Sequence, residues 1–193
     1  MPNFCPVPWQ EEPTPEHLEN CQECGLYEHG TRMIWGEGNP NAPLMIILDN
    51  PGAREDKEGN EYVCGTRQTL QKAAHEVGLN EQDIYITYVL KRRPRKKYDK
   101  EQTRAICMGH VTQQLKEKQP ALILCLGNVA VKSFFQYKEA EVKKLRGKVH
   151  HINGYRTLVA YHPLAIRRRP NLRTGFIKDW QLVADQLSKQ NLS

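Results

Sequence analysis

The chain has 193 residues, of which 39% are hydrophobic, and its 28 Lys and Arg outnumber its 22 Asp and Glu to give a formal net charge of +6. This length predicts one domain with a hydrophobic core of its own. The apolar runs fall far short of the ~20 residues that span a bilayer, and the Pro-rich N-terminus has no signal-peptide core. The sequence therefore predicts a soluble, cytoplasmic protein without a membrane partner, and we expect it to be a monomer.

The sequence predicts an irregular N-terminal arm over residues 1–14 and a single domain over residues 15–193. Thr14 and Pro15 predict the N-cap and the first position of a helix. Apolar runs and helical spacing then predict strands at 44–48, 84–90, 121–126 and 155–160 and helices at 66–77, 99–118, 128–135 and 174–187. This alternation is typical of an α/β fold, and we expect three α/β/α layers around a central four-stranded parallel sheet.

Polar residues follow the first predicted strand, where the chain must turn. Asp49 and Asn50 come directly after the apolar run, and Pro51-Gly52 then cannot continue a sheet. Ligands bind at the carboxyl ends of the strands in an open parallel sheet. The two side chains are therefore candidates for a binding site, although Asx residues also cap turns without binding anything.

Positive charge is concentrated in two segments, 91–97 after the second strand and 167–173 after the fourth. Such clusters suit a nucleic-acid partner, but basic residues also cover ordinary solvated surfaces. The chain contains no P-loop and no G-x-G-x-x-G motif, so its sequence does not support a nucleotide cofactor.

The six cysteines are expected to be reduced thiols or metal ligands, because the predicted compartment does not favour disulfides. Cys21 and Cys24 form a C-x-x-C pair, which is half of a metal site or a redox pair and needs partners elsewhere. Cys107 lies in the long predicted helix. Cys125 lies within a predicted core strand and is interpreted as a buried apolar residue.

The motifs occur in an order that resembles the uracil-DNA glycosylase superfamily, most closely its iron–sulfur branch, called family 4. The resemblance runs from about Cys21 to Trp180. It rests on the C-x-x-C pair, the strand followed by DNPG-x-x-ED, Tyr62-Val63, the segment ITYVLKRRP, Cys107, the turn at 126–130 and Tyr161-His162-Pro163. The resemblance implies the uracil-DNA glycosylase fold and a monofunctional enzyme that flips a nucleotide out of DNA and cleaves its N-glycosidic bond.

The resemblance also implies roles for individual residues. His162 would stabilise the leaving base, and Asp49 and Asn50 would hold or activate the attacking water. Tyr62 would stack on the flipped base, in a pocket that also includes Gly52 and Tyr88. His162 could instead be a turn histidine, and Tyr62 an ordinary packed aromatic.

Tyr88 departs from the family, which has an asparagine at this position to read the edge of uracil. A phenol offers a different hydrogen-bonding pattern from an amide, so the preferred base could be a modified one. The alternative is a non-catalytic DNA-binding protein that senses damaged or modified bases with a degenerate pocket.

The resemblance implies a [4Fe–4S] cluster, for which Cys21, Cys24 and Cys107 match three of the four family ligands. Arg92 occupies the remaining position and cannot ligate iron. Cys5 or a nearby histidine could replace that ligand; otherwise these thiols would line a small core without metal.

The residues after His162-Pro163 match the place where the family inserts an apolar wedge into the base stack. Leu164 is the candidate wedge. The candidate phosphate contacts are basic residues of the two charged segments: Lys91, Arg93, Arg167, Arg168 and Arg169.

Overall fold

The computed structural model describes residues 4–57 and 63–190, and within these ranges seven strands form one sheet. The strands are β1 (Glu11–Glu12), β2 (Gly36–Gly38), β3 (Leu44–Leu48), β4 (Ile84–Tyr88), β5 (Leu122–Leu126), β6 (His150–Ile152) and β7 (Tyr155–Ala160). Their spatial order is β1-β2-β4-β3-β5-β7-β6. Strands β4, β3, β5 and β7 are parallel, as predicted, whereas β1, β2 and β6 add antiparallel pairs at the two edges.

Helices cover both faces of this sheet, which confirms the three-layer prediction. They are α1 (Gly65–Glu76), α2 (Lys100–Lys118), α3 (Asn128–Phe135), α4 (Val142–Leu145), α5 (Pro163–Arg168) and α6 (Arg173–Gln190). Helices α1, α5 and α6 pack on one face and α2, α3 and α4 on the other, each against alternate side chains of the strands. All five residues of β3 are buried, as expected for a central strand covered on both faces.

Local sequence signals explain most element boundaries. Asp99 caps α2, since its carboxylate accepts a hydrogen bond from the Gln102 backbone N–H at 3.0 Å. Gly78 has a φ of +81° just beyond α1, where a left-handed residue ends the helix. The predicted Thr14 cap is wrong: only a short 3-10 helix forms, over Glu16–Leu18, and Pro15 is its N-cap residue.

The parallel register aligns the carboxyl ends of the central strands along one edge of the sheet. Leu48 of β3 pairs with Tyr88 of β4, and Leu126 of β5 pairs with Ala160 of β7. The segments that follow each strand therefore meet at this edge, and the candidate active site lies there.

The N-terminal segment is less irregular than predicted. Glu11 and Glu12 form β1, and Val7 exchanges two hydrogen bonds with the Gln71 side chain at 3.0 and 2.7 Å. Across the described ranges, the structure contains no helix of the length and apolarity that crossing a membrane requires.

Candidate active site

Asp49 and His162 meet at the carboxyl edge of the sheet, although 113 positions separate them in the sequence. Asp49 follows β3 and His162 follows β7, and Asp49 Oδ1 lies 3.3 Å from His162 Nε2. Both side chains keep some exposure, 36% for Asp49 and 21% for His162, so a ligand can reach them. Burial alone raises the pKa of Asp49, but the hydrogen bond and charge of His162, with help from backbone N–H groups, outweigh it and lower the pKa.

The local fold determines which nitrogen of His162 carries the proton. His162 is the N-cap of α5, and its Nδ1 accepts a hydrogen bond from the Leu164 backbone N–H at 3.1 Å. A neutral imidazole whose Nδ1 accepts must carry its proton on Nε2. The Nε2–H group therefore points toward Asp49 and is available as a donor.

Gly127 has no side chain, and the His162 ring occupies the space beside it. It has a φ of +91°, and a Cβ placed on it would lie 2.9 Å from His162 Cβ and 3.4 Å from its Cδ2. Any side chain here would be strained and would push the imidazole away.

Asn50 and Gly52 lie in the turn beside Asp49. Asn50 Nδ2 donates to the backbone carbonyl of Pro51 at 2.8 Å, so this amide holds the turn as it stands. A Cβ on Gly52 would lie 2.7 Å from Glu55 Oε2, so a side chain at this position would displace the Glu55 carboxylate. Tyr62, the predicted stacking residue, lies outside the described residues.

Tyr88 is buried, with 2% of its surface exposed, and it ends β4 on the face covered by α1. Its hydroxyl accepts a hydrogen bond from Arg67 Nη2, and Arg67 in turn forms an ion pair with Glu37. All three groups are buried, and the neighbouring carboxylates and Tyr88 raise the pKa of Arg67 against the opposing effect of burial. A phenol and a guanidinium thus occupy the position where the resemblance implied an amide.

Glu55 and Cys64 form a second polar contact on the same side of the site. The Cys64 thiol donates to Glu55 Oε1 at 2.7 Å. Burial and this carboxylate raise the pKa of Cys64 to about 11, so the group is a thiol at neutral pH. It is therefore a hydrogen-bond donor and not a nucleophile.

The assignment of Lys91 to the DNA surface is wrong. Lys91 is only 1% exposed, and its Nζ donates to the Trp35 carbonyl at 3.1 Å and to Gln114 Oε1 at 2.8 Å, with Thr87 as a third partner. Burial lowers its pKa to about 7. An ammonium group enclosed in this way cannot contact a phosphate.

The other candidate DNA contacts lie on the surface. Leu164, 38% exposed, projects from α5. Arg167, Arg168 and Arg169 are exposed next to it, and Arg167 Nη1 donates to the Gly65 carbonyl at 3.4 Å. Arg93 is 37% exposed at its side chain and lies 3.9 Å from Asp56.

The predicted metal ligands form two close pairs between the N-terminal segment and α2. Cys21 Sγ lies 3.5 Å from Nε2 of His110, a residue that had not been assigned to any site. Cys24 lies next to Cys107, and the interaction of the two thiols is the main cause that lowers the pKa of Cys24 to about 6 against the effect of burial. All six cysteines are free thiols, and Cys125 is buried as predicted.

Arg92 is held by backbone carbonyl groups near these thiols. Its guanidinium donates to the carbonyl oxygens of Glu19, at 2.8 Å, and Thr31, and it lies 5.3 Å from the centre of the Tyr27 ring. Cys5 is exposed and its thiol faces the Pro6 carbonyl at 3.9 Å. Three thiolates with an imidazole beside them suit a soft metal or an iron–sulfur cluster, so the donor set fits such a group.

Sequence reasoning missed several residues of these sites, namely Arg67, Glu55, Gly127 and His110. Two of them carry a signal in the sequence. Arg67 lies three and seven positions before Leu70 and Ala74, on the apolar face of α1, where a charge is unusual. His110 follows Cys107 by three residues, which repeats the spacing of the C-x-x-C pair. Glu55 and Gly127 lie within motifs that carry the resemblance, but their contacts with Cys64 and His162 were not predicted.

Comparison with known proteins agrees with the fold. The pattern of the Uracil DNA glycosylase superfamily matches residues 35–184. The chain therefore belongs to the uracil-DNA glycosylase superfamily, which confirms the resemblance.

Several curated relatives match over nearly the whole chain, and each bears the name Type-4 uracil-DNA glycosylase. The protein from Saccharolobus solfataricus is 31% identical over 92% of this chain and 87% of its own. The protein from Archaeoglobus fulgidus is 28% identical over 90% of this chain and 91% of its own. The protein from Pyrobaculum aerophilum is 32% identical over 85% of this chain and 88% of its own.

Proposed function

We propose that this protein is a monofunctional DNA glycosylase that hydrolyses the N-glycosidic bond of uracil, or of a related modified base, flipped out of DNA. The contact between Asp49 and His162 carries this proposal, together with membership of the superfamily. A carboxylate and an imidazole donor at one exposed edge are the two groups that this hydrolysis requires.

His162 would act on the leaving base. The base departs as an anion, with charge developing on its carbonyl oxygen, and a donor placed there lowers the barrier. The Leu164 N–H holds the ring as the Nε2–H tautomer, so its donor is already in place before substrate binds. When the base enters, Nε2–H would exchange its contact with Asp49 for one with the base oxygen.

Asp49 would act on the sugar side of the bond. Its lowered pKa keeps it ionised at neutral pH, and a carboxylate can both stabilise an oxocarbenium-like sugar and accept a proton from the attacking water. Asn50 is neutral and would orient the water and the turn.

The Tyr88–Arg67 pair would set the base preference. An asparagine amide offers one donor and one acceptor to uracil, whereas the Tyr88 hydroxyl already accepts from Arg67 and has only its own proton to donate. We therefore propose that this pocket favours a base that presents an acceptor at this edge, and that uracil is one of several substrates.

The exposed face of α5 and the neighbouring loop would bind DNA. Leu164 would fill the gap left by the flipped nucleotide, and Arg93 and Arg167–Arg169 would contact phosphates. The predicted cytoplasmic location and monomeric state remain predictions.

We also propose that Cys21, Cys24 and Cys107 hold a [4Fe–4S] cluster. When bound, such a group would cross-link the N-terminal segment to α2, which is a structural contribution. The hydrolysis itself would depend on Asp49 and His162.

The test is base release from oligonucleotide duplexes that carry uracil, hypoxanthine, xanthine or 5-hydroxymethyluracil, followed by alkali cleavage of the abasic site. We expect strand breaks with at least one of these bases and none with undamaged DNA. Binding to modified DNA without any base release would instead support the non-catalytic alternative.

A further inference from the structure

His110 lies 3.5 Å from Cys21 and one helical turn from Cys107, which makes it the candidate for the missing fourth ligand. Cys107 and His110 are one turn apart on the same face of α2, and both are buried, at 2% and 6% exposure. Together with Cys21 and Cys24 they form a C-x-x-C…C-x-x-H pattern, a spacing that metal sites use. We infer that His110 is the fourth ligand of a Cys₃His metal centre formed with Cys21, Cys24 and Cys107.

The distance between the first ligand pair supports this assignment. Cys21 Sγ and His110 Nε2 are 3.5 Å apart. Two ligands at the usual Zn–S and Zn–N bond lengths and a tetrahedral angle would be about 3.6 Å apart.

The surroundings are those of a thiolate site. The Lys91 backbone N–H donates to Cys107 Sγ at 3.3 Å, a contact that stabilises negative charge on sulfur. The ring of Trp35 packs edge-on against His110 at 5.7 Å between centroids, and Cys21 packs on the same small apolar cluster. The Arg92 guanidinium is nearby but is held by backbone carbonyls, so it adds positive charge without occupying the site.

Glu23 is the competing candidate, because its carboxylate lies within 4.8 Å of both Cys21 Sγ and His110 Nε2. It is exposed, however, and a hard carboxylate is a poorer match than imidazole for a site dominated by thiolates. Glu23→Gln is therefore a matched control for His110.

The experiment measures metal binding and not base release, so it is independent of the glycosylase assignment. The full-length protein is purified without oxygen, stripped with a chelator, and loaded either with ferrous iron and sulfide or with zinc alone. Bound iron, sulfide and zinc are quantified for the wild type and for His110→Ala, His110→Cys and Glu23→Gln. Circular dichroism of the stripped proteins identifies any variant that has failed to fold.

We expect His110→Ala to weaken metal retention at least about tenfold, the lower end of what losing even an outer-shell partner costs. We expect His110→Cys and Glu23→Gln to bind like the wild type. Uptake of iron and sulfide with absorbance near about 400 nm would identify a cluster, whereas one zinc per chain and no iron would identify a single ion. Wild-type retention in a folded His110→Ala variant, or no uptake by the wild type in either arm, would overturn the assignment.

Discussion

At the scale of single residues, the proposed catalysis depends on the hydrogen bonds that orient His162. Its Nδ1 is engaged by the backbone of α5, and its Nε2 faces Asp49. The first prediction is that His162→Ala lowers kcat by about 10²–10³-fold, the usual cost of losing a donor to a developing oxyanion. Asp49→Asn should lower kcat by about 10²-fold or more.

The affinity of both variants for DNA should remain within a few-fold of the wild type, since neither side chain belongs to the basic surface. Single-turnover kinetics and gel shifts separate the two quantities. A loss of affinity that accounts for the whole loss of activity would refute these roles.

Gly127 provides a test of ring placement that leaves both reacting side chains unchanged. Gly127→Ala should lower kcat by more than about tenfold and affect KM much less, because the new Cβ would displace the His162 ring. Gly154→Ala is the matched control: its φ of +84° imposes a similar strain, but a Cβ there meets nothing within 4 Å. Both variants should lose about 1–2 kcal/mol of stability. Equal activity of the two would show that Gly127 has no positioning role.

At the scale of elements, α5 carries both the histidine cap and several of the proposed DNA contacts. Leu164→Ala should lower kcat/KM on duplex DNA more than on single strands, because only the duplex requires a stacked base to be displaced. Tyr137→Ala, at another exposed apolar residue, is the control and should affect neither substrate. Equal losses on the two substrates would rule out a wedge.

The basic segments differ in a way that salt dependence can measure. Arg168→Gln should reduce the slope of log K against log salt by about 0.9, the value for one phosphate contact on duplex DNA. Lys91→Met should leave the slope unchanged, because its ammonium group is enclosed by protein. A reduced slope for a folded Lys91→Met variant would contradict the burial of this residue.

At the scale of the whole molecule, the buried Lys91 links stability to pH. Its pKa is about 7 in the folded protein and about 10.4 in the unfolded chain. Between these values the unfolded state binds more protons, so the folded state gains stability as the pH rises and loses it as the pH falls toward 7. Relative to Lys91→Met, the wild type should gain about 1–3 kcal/mol between pH 7 and pH 9 in denaturant unfolding. If the difference in unfolding free energy between the two proteins does not change with pH, the Lys91 ammonium keeps its proton in the folded state.

The parts of the fold that the sequence predicted are those with strong local signals. The bounds of β3 and β7 match because the chain turns soon after the last apolar residue of each strand, at Asp49-Asn50-Pro51 and at His162-Pro163. The edge strands β1, β2 and β6 were missed because each has only two or three residues. Strand β6 forms a hairpin with the adjacent β7, whereas β1 and β2 pair with strands that are distant in the chain. Local pattern carries no information about such contacts.

The same difference between local signals and long-range contacts explains which site residues were predicted and which were missed. The strand-end rule singled out Asp49 and the resemblance singled out His162, and the contact between them shows that the ends of β3 and β7 meet. Lys91 was misassigned because it begins a run of charges, whereas its burial is decided by acceptors on Trp35 and Gln114. Arg67 was missed for the same reason, since its partners Glu37 and Tyr88 come from two other strands.

The measurement that tests the central claim most directly is base release by the wild type and by His162→Ala on the same set of modified duplexes. We expect the wild type to release at least one modified base and leave an alkali-labile site, and the variant to bind the same DNA but release that base about 10²–10³-fold more slowly. Release of none of these bases by folded wild-type protein, or equal release by the two proteins, would contradict the account.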